Sequence, residues 1–136
     1  RARNRVEALE ILSRIPATRR SVAVLSAMGS SFYGLDMFDS ASVYFHRALD
    51  VDSDNVDLIF KAGTSVLAAE DGAGAILLLV AALQRDPNHA GAMKYLALAY
   101  MEVGQFEKAK EMYQRLLRVK PDDPDAEAIR ARIEGR

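Results

Sequence analysis

Residues 90–123 read AGAMKYLALAYMEVGQFEKAKEMYQRLLRVKPDD, and the fold turns on how that stretch is patterned. Met93, Leu96, Ala97 and Tyr100 fall at i, i+3, i+4 and i+7, which predicts a helix with one buried face. Gly104 breaks that helix, and Phe106, Ala109, Lys110 and Tyr113 begin a second one. Arg118 and Lys120 suit the negative C-terminal end of the second helix, and Pro121 stops it.

The same features recur at a spacing of 34 residues. Small residues stand at Gly29, Gly63 and Ala97, and alanine at Ala41, Ala75 and Ala109. Large apolar residues align at Leu25, Ile59 and Met93, at Phe32, Val66 and Tyr100, and at Phe45, Leu79 and Tyr113. Leucine aligns at Leu49, Leu83 and Leu117, and a helix stop at Ser53, Pro87 and Pro121. So many columns at one offset define three units, 22–55, 56–89 and 90–123, each of two helices. The small columns have a packing reason, because helices approach closely only where bulk is removed. One helix pair cannot bury its apolar face alone, so the pairs must stack.

Met93, Leu96-Ala97, Tyr100, Gly104, Ala109, Tyr113 and Pro121 resemble the tetratricopeptide repeat. The second unit keeps Ile59, Gly63, Ala75, Ala82 and Pro87 but has Val66 and Leu79 where aromatics are common. The first keeps Leu25, Gly29, Phe32, Ala41, Phe45 and Ala48 but has Ser53 in place of proline. The resemblance implies an all-α fold, a right-handed α-α superhelix (solenoid) of three helix-turn-helix repeats with flanking N- and C-terminal helices. It says little about any one partner, since a fold hosts many functions.

The chain length, 136 residues, is four times the period, but only three repeats are present. Residues 1–21 hold Val6, Ala8, Leu9, Leu12 and Ile15, which predict one amphipathic helix ended by Pro16, either a cap or half of a degenerate repeat. The start at Arg1 reads as a piece of something longer. Residues 124–136 predict a capping helix with Pro124 in its first turn and Ala126, Ile129 and Ile133 as its apolar stripe. The ending Ile133-Glu134-Gly135-Arg136 also resembles the cleavage site of factor Xa, so a protease-site scar and native sequence both stay open.

The net charge of −1 conceals an uneven distribution. Residues 1–20 carry six arginines against two acids, and residues 21–106 carry ten acids against four bases. The arginine-rich segment lacks interleaved aromatics and reads as a solvated helix face, not a nucleic-acid site. The longest apolar run, residues 75–83, is too short to span a bilayer. The absence of cysteine excludes a disulfide framework and thiolate metal sites. The compartment stays open, with the cytoplasm as the default expectation.

Catalytic and cofactor chemistry find no support. His46 and His89 stand alone in different units and read as surface residues without a second metal ligand. Ser26, Ser30, Ser31 and Ser65 have no histidine nearby in sequence. Gly72 and Gly74 lack the lysine of a phosphate loop. Asp122 and Asp123 fall between helices and read as solvation and capping. The expectation is a non-enzyme that needs no cofactor or metal.

In proteins of the resembled family the first helix of each pair lines a concave trough. Removing the buried stripe leaves Ala23, Ser26, Ser30 and Tyr33 in the first unit. The second offers Asp57, Phe60, Lys61, Thr64 and Leu67, and the third Lys94, Tyr95, Leu98 and Met101. Many family members grip the acidic C-terminal tail of chaperones through Lys, Asn, Asn, Lys and Arg. Here those places hold Ser26, Ser30, Lys61, Gly91 and Tyr95, which argues against that tail. The remaining lining suits an extended or helical peptide with apolar anchors and an acidic residue near Lys61 and Lys94. A second surface arises because residues 75–83 are apolar on nearly every face. Where the third unit has Glu111, Gln114 and Arg115, this helix has Leu77, Val80 and Ala81, and Val43 extends the patch. That predicts a convex interface, serving a homo-oligomer or docking onto the rest of a longer protein. The alternative is that a neighbouring helix covers these residues. The functional expectation is a protein-interaction scaffold, with a regulatory or targeting domain of a larger protein and a self-assembling scaffold as the other readings.

Overall fold

A computed structural model describes residues 1–135. Its helices are α1 (Ala2–Ser13), α2 (Val22–Gly34), α3 (Phe38–Val51), α4 (Val56–Ala68), α5 (Gly72–Arg85), α6 (Ala90–Glu102), α7 (Phe106–Val119) and α8 (Ala126–Glu134). A 3-10 turn, Ala17–Arg19, links α1 to α2, and no strand occurs among the described residues. α2 packs on α3, α4 on α5 and α6 on α7, while α3 meets α4 and α5 meets α6 across the repeat boundaries. The result is an all-α solenoid of helical repeats. No described helix is long and apolar enough to cross a membrane.

Capping chemistry sets where the first helices start. Ser21 Oγ accepts the Val24 N–H at 3.3 Å, Asn55 Oδ1 the Leu58 N–H at 3.2 Å, and His89 Nδ1 the Ala92 N–H at 2.9 Å. These three residues stand one repeat apart, so a single column performs one task with three different side chains. Asp123 extends that column, and its Oδ1 accepts the Asp125 N–H at 2.8 Å ahead of α8. The first helices also end alike. The N–H groups of Met37, Asp71 and Gln105 reach back to the carbonyls of Phe32, Val66 and Tyr100 at 2.9, 3.1 and 2.8 Å. That closure needs a left-handed residue just before each donor. Gly104 supplies it at φ 79°, but Asp36 and Glu70 supply it at φ 59° and 66°.

The small columns lie where the helix pairs touch. Ala41, Ala75 and Ala109 are fully buried, as are Ala48, Ala62, Ala82 and Ala97. Gly29 meets the Phe45 ring so closely that a Cβ there would lie 2.8 Å from ring carbon Cε1. One core cluster joins the second and third repeats to α8 through Leu79, Met93, Leu96, Leu116, Ile129 and Ile133. Another, around Leu25 and Phe45, joins the first repeat to α4.

The end helices depart from the expected boundaries. α1 stops at Ser13, short of Pro16, because a residue before proline is pushed out of the α region. The freed Ile15 carbonyl accepts the Arg20 Nε–H at 3.1 Å. α1 buries no residue fully; Ala8, Leu9, Leu12 and Ile15 are half-buried against the body, and Val6 faces outward. α8 begins at Ala126, with Pro124 in the turn before it, and buries the expected stripe of Ala126, Ile129 and Ile133. Glu134 continues α8 and takes the Arg130 Nη1 at 2.9 Å, whereas Arg136, the last residue of the suspected protease site, lies outside the described residues.

Candidate functional site

Four columns of α2, α4 and α6 face away from the second helices: Ser26/Phe60/Lys94, Ala27/Lys61/Tyr95, Ser30/Thr64/Leu98 and Tyr33/Leu67/Met101. A cavity of about 300 Å³ gathers Tyr33, Phe60, Lys61, Thr64 and Tyr95 together with Arg5, Ser30, Gly34 and Phe45. Five of the nine residues expected in the groove thus share one cavity.

Aromatic contacts fix its walls. The Phe60 ring lies 5.7 Å from Tyr95, edge to face, and 4.7 Å from the His89 imidazole. Gly91 gives Phe60 room, since a Cβ there would sit 3.0 Å from its Cζ. Tyr33 is held edge-on by Phe38 at 5.1 Å. Burial pushes the Tyr33 phenol above its usual pKa, with the Tyr95 phenol and the Asp36 carboxylate adding to the shift. Tyr33 therefore stays a neutral donor at ordinary pH. Thr64 and Ser65 turn their hydroxyls inward to the Lys61 carbonyl at 3.0 and 2.8 Å. Lys61 pairs with Asp57, one turn earlier on α4, at 2.9 Å.

The remaining groove candidates lie elsewhere. Lys94 and Leu98 line a neighbouring cavity of about 270 Å³ against α8, with Asp125, Ile129 and Arg132. Lys94 is already engaged there, 2.8 Å from Asp125 Oδ2 and 3.1 Å from Asp123 Oδ2, with its side chain 18% exposed. Leu67 and Met101 are half-buried against the core and line neither cavity.

On the opposite face Leu77 is 75% exposed and Val43 47%. Val80 and Ala81 are half-buried against the core, and Val80 lines a cleft with Tyr100, Met112 and Arg115 of the third repeat. The all-apolar helix α5 thus spends most of its surface on neighbours, and Leu77 is left over.

Three features escaped the sequence reading. Arg5 reaches from α1 into the cavity, where its Nη1 donates to the Ser30 carbonyl at 3.0 Å. His89 is a half-buried helix cap stacked on Phe60, not a free surface residue. Asp123 is a buried carboxylate, where a solvated loop acid was expected. The signal for His89 was present, because Ser21 and Asn55 occupy the same column. Among the described residues, no three acidic or histidine side chains cluster as a metal site would require.

Stacked helix pairs with an aromatic-walled concave cavity define a helical-repeat solenoid. The chain belongs to the tetratricopeptide repeat family, whose profile matches residues 66–133, half of its length. Solved structures agree in fold. YrrB, described as a TPR protein with an unusual peptide-binding site, matches with TM-score 0.89 at 21% identity, over 94% of this chain and 66% of its own. The first TPR of Spaghetti (RPAP3), bound to the HSP90 peptide SRMEEVD, matches with TM-score 0.79 at 20% identity, over 85% of this chain and 91% of its own. The Arabidopsis OM64 TPR domain matches with TM-score 0.79 at 16% identity, over 85% and 95%. A comparison with curated proteins found no match.

Proposed function

We propose that this chain is a protein-interaction scaffold whose concave groove takes a peptide segment of a partner protein. The observation that carries the reading is the 300 Å³ cavity, which collects Tyr33, Phe60 and Tyr95 in one open recess. Aromatic walls of this kind supply most of the affinity in peptide recognition, and the hydroxyls and cations at their edges set orientation. The peptide-bound RPAP3 relative supports the class of ligand. The chaperone tail itself is disfavoured, because Ser26, Ser30, Gly91 and Tyr95 stand where the clamp needs Lys, Asn, Lys and Arg.

The test is a surface array of random dodecapeptides, acetylated and amidated, probed with the labelled protein. Phe60→Ala should weaken the selected binders about tenfold or more while the helical signal is unchanged. Binders indifferent to Phe60→Ala would place recognition elsewhere.

A second reading has its own support. Leu77 and Val43 are consecutive members of one column and both protrude, so the convex face offers an apolar contact for self-association or for docking within a longer protein.

A further inference from the structure

The cavity lining holds two cations, Arg5 and Lys61, and no carboxylate. Lys61 has Asp57 beside it, but Arg5 has no carboxylate within ion-pair distance among the described residues. Its hydrogen bond to the Ser30 carbonyl uses one of five guanidinium N–H donors. The neighbouring Tyr33 hydroxyl remains protonated and can donate alongside it. A half-buried guanidinium with spare donors, facing a recess that lacks negative charge, is matched by a carboxylate.

The position of Arg5 is built into the chain. Its guanidinium lies over the last residue of α2, Gly34, and a Cβ at Gly34 would fall inside it. Arg5 belongs to α1, which is outside the three repeats and buries none of its residues fully. A ligand that engages Arg5 must therefore also hold α1 in place.

Resting on the groove reading above, we propose that Arg5 determines the specificity of the site. It takes the side-chain carboxylate of an acidic peptide whose apolar neighbour rests among Tyr33, Phe60 and Tyr95, and this contact fastens α1 onto α2. α1 is then part of the binding site and not only a cap. Ligand binding stabilises the docked form of α1 by simple linkage.

The dodecapeptide array tests this with three further arms. Binders of the wild-type protein should be enriched in Asp or Glu. Arg5→Gln should weaken them about tenfold or more, and exchanging the peptide's acid for its amide should cost as much in wild type but nothing further in Arg5→Gln. Gly34→Ala keeps a helix-favouring residue and every charge yet displaces the guanidinium, so it should show the same loss. Hydrogen exchange in residues 2–13 should slow when a selected acidic peptide is added to wild type, and not in Arg5→Gln. Binders without acid enrichment, or acidic binders indifferent to both variants, would overturn the proposal while sensitivity to Phe60→Ala kept the groove reading intact. An array without binders, or binders indifferent to Phe60→Ala, would remove the groove and this proposal together.

Discussion

Lys94 and Asp123 form an ion pair at 3.1 Å between α6 and the turn that starts α8, with the Asp123 side chain only 1% exposed. Asp125 joins at 2.8 Å and Lys120 at 3.8 Å, so Lys94 is the main neutralising charge for a buried carboxylate. Burial alone would raise the Asp123 pKa, but the Asp125 N–H and Lys94 outweigh it and hold the carboxyl below its usual range. Burial alone would lower Lys94, but Asp125 and Asp123 outweigh it and raise the ammonium.

The signs set two limits. The Asp123 contribution is complete above its unfolded pKa of about 3.9 and is lost as pH falls through the lower folded value. The Lys94 contribution is complete below its unfolded pKa of about 10.4 and is lost as pH rises through the higher folded value. The methyl resonances of Ile129 and Ile133 should report loosening of α8 at both limits and a flat response between them. Lys94→Met should cost about 2–3 kcal/mol, because it strands a buried charge. Adding Asp123→Asn should recover at least half, since Asn keeps an acceptor for the Asp125 N–H. A Lys94→Met protein as stable as wild type in urea would show that the pair contributes nothing.

The left-handed column yields a second prediction. Asp36, Glu70 and Gly104 occupy one place in three repeats, and only Gly104 adopts positive φ without a Cβ penalty. Glu70→Gly should stabilise the fold by about 0.5–1 kcal/mol despite the larger chain entropy glycine brings to the unfolded state. Asp36→Gly should gain less, because aspartate tolerates this region better. Equilibrium unfolding in urea decides, and a loss of stability at Glu70→Gly would mean that its side chain holds the turn by other means.

Close packing of α2 on α3 gives a third. A Cβ at Gly29 would meet three Phe45 ring carbons at 2.8–2.9 Å, whereas a Cβ at Gly63 would meet the flexible Leu79 tip at 3.0 Å. Exchanging helical glycine for alanine gains roughly 0.5–1 kcal/mol of propensity, and overpacking costs roughly 1–3 kcal/mol. Gly29→Ala should therefore be net destabilising, and Gly63→Ala near neutral. Phe45→Leu costs stability alone but should couple favourably with Gly29→Ala in a double-mutant cycle. Independent, additive effects would separate the glycine from the ring.

The repeats were legible because each copy solves the same problem at the same positions. Gly29, Ala41, Phe45 and their partners recur at 34 residues, and the helices start and stop at that interval. The cavity followed from the same columns, so Tyr33, Phe60 and Tyr95 could be assigned to one face before any contact was known. α1 was misread because its register slips by one. Its half-buried Ala8, Leu12 and Ile15 lie 33 residues, not 34, before Ala41, Phe45 and Ala48. At that offset Arg5 aligns with Phe38, which packs on Tyr33, so a groove position was counted as a solvated charge. Lys94 shows the reverse failure. Its column places it on the inner face, but its neutralisation by Asp123 and Asp125 depends on how the chain turns after the last repeat, and no periodicity carries that.

The convex face supplies the last prediction. The column of Val43 and Leu77 ends at Glu111, so the second and first repeats present apolar side chains where the third presents a charge. Because Leu77 is 75% exposed, Leu77→Glu should leave unfolding stability within about 0.5 kcal/mol of wild type. Under the self-association reading, sedimentation of the wild-type protein should show reversible dimerisation as concentration rises, and Leu77→Glu should remain a monomer. Val43→Lys should weaken the dimer less, because Val43 presents less of its surface. A wild-type protein that stays monomeric at high concentration would remove self-association. The patch would then serve only as a contact to another polypeptide, for which the same Leu77→Glu variant is the probe.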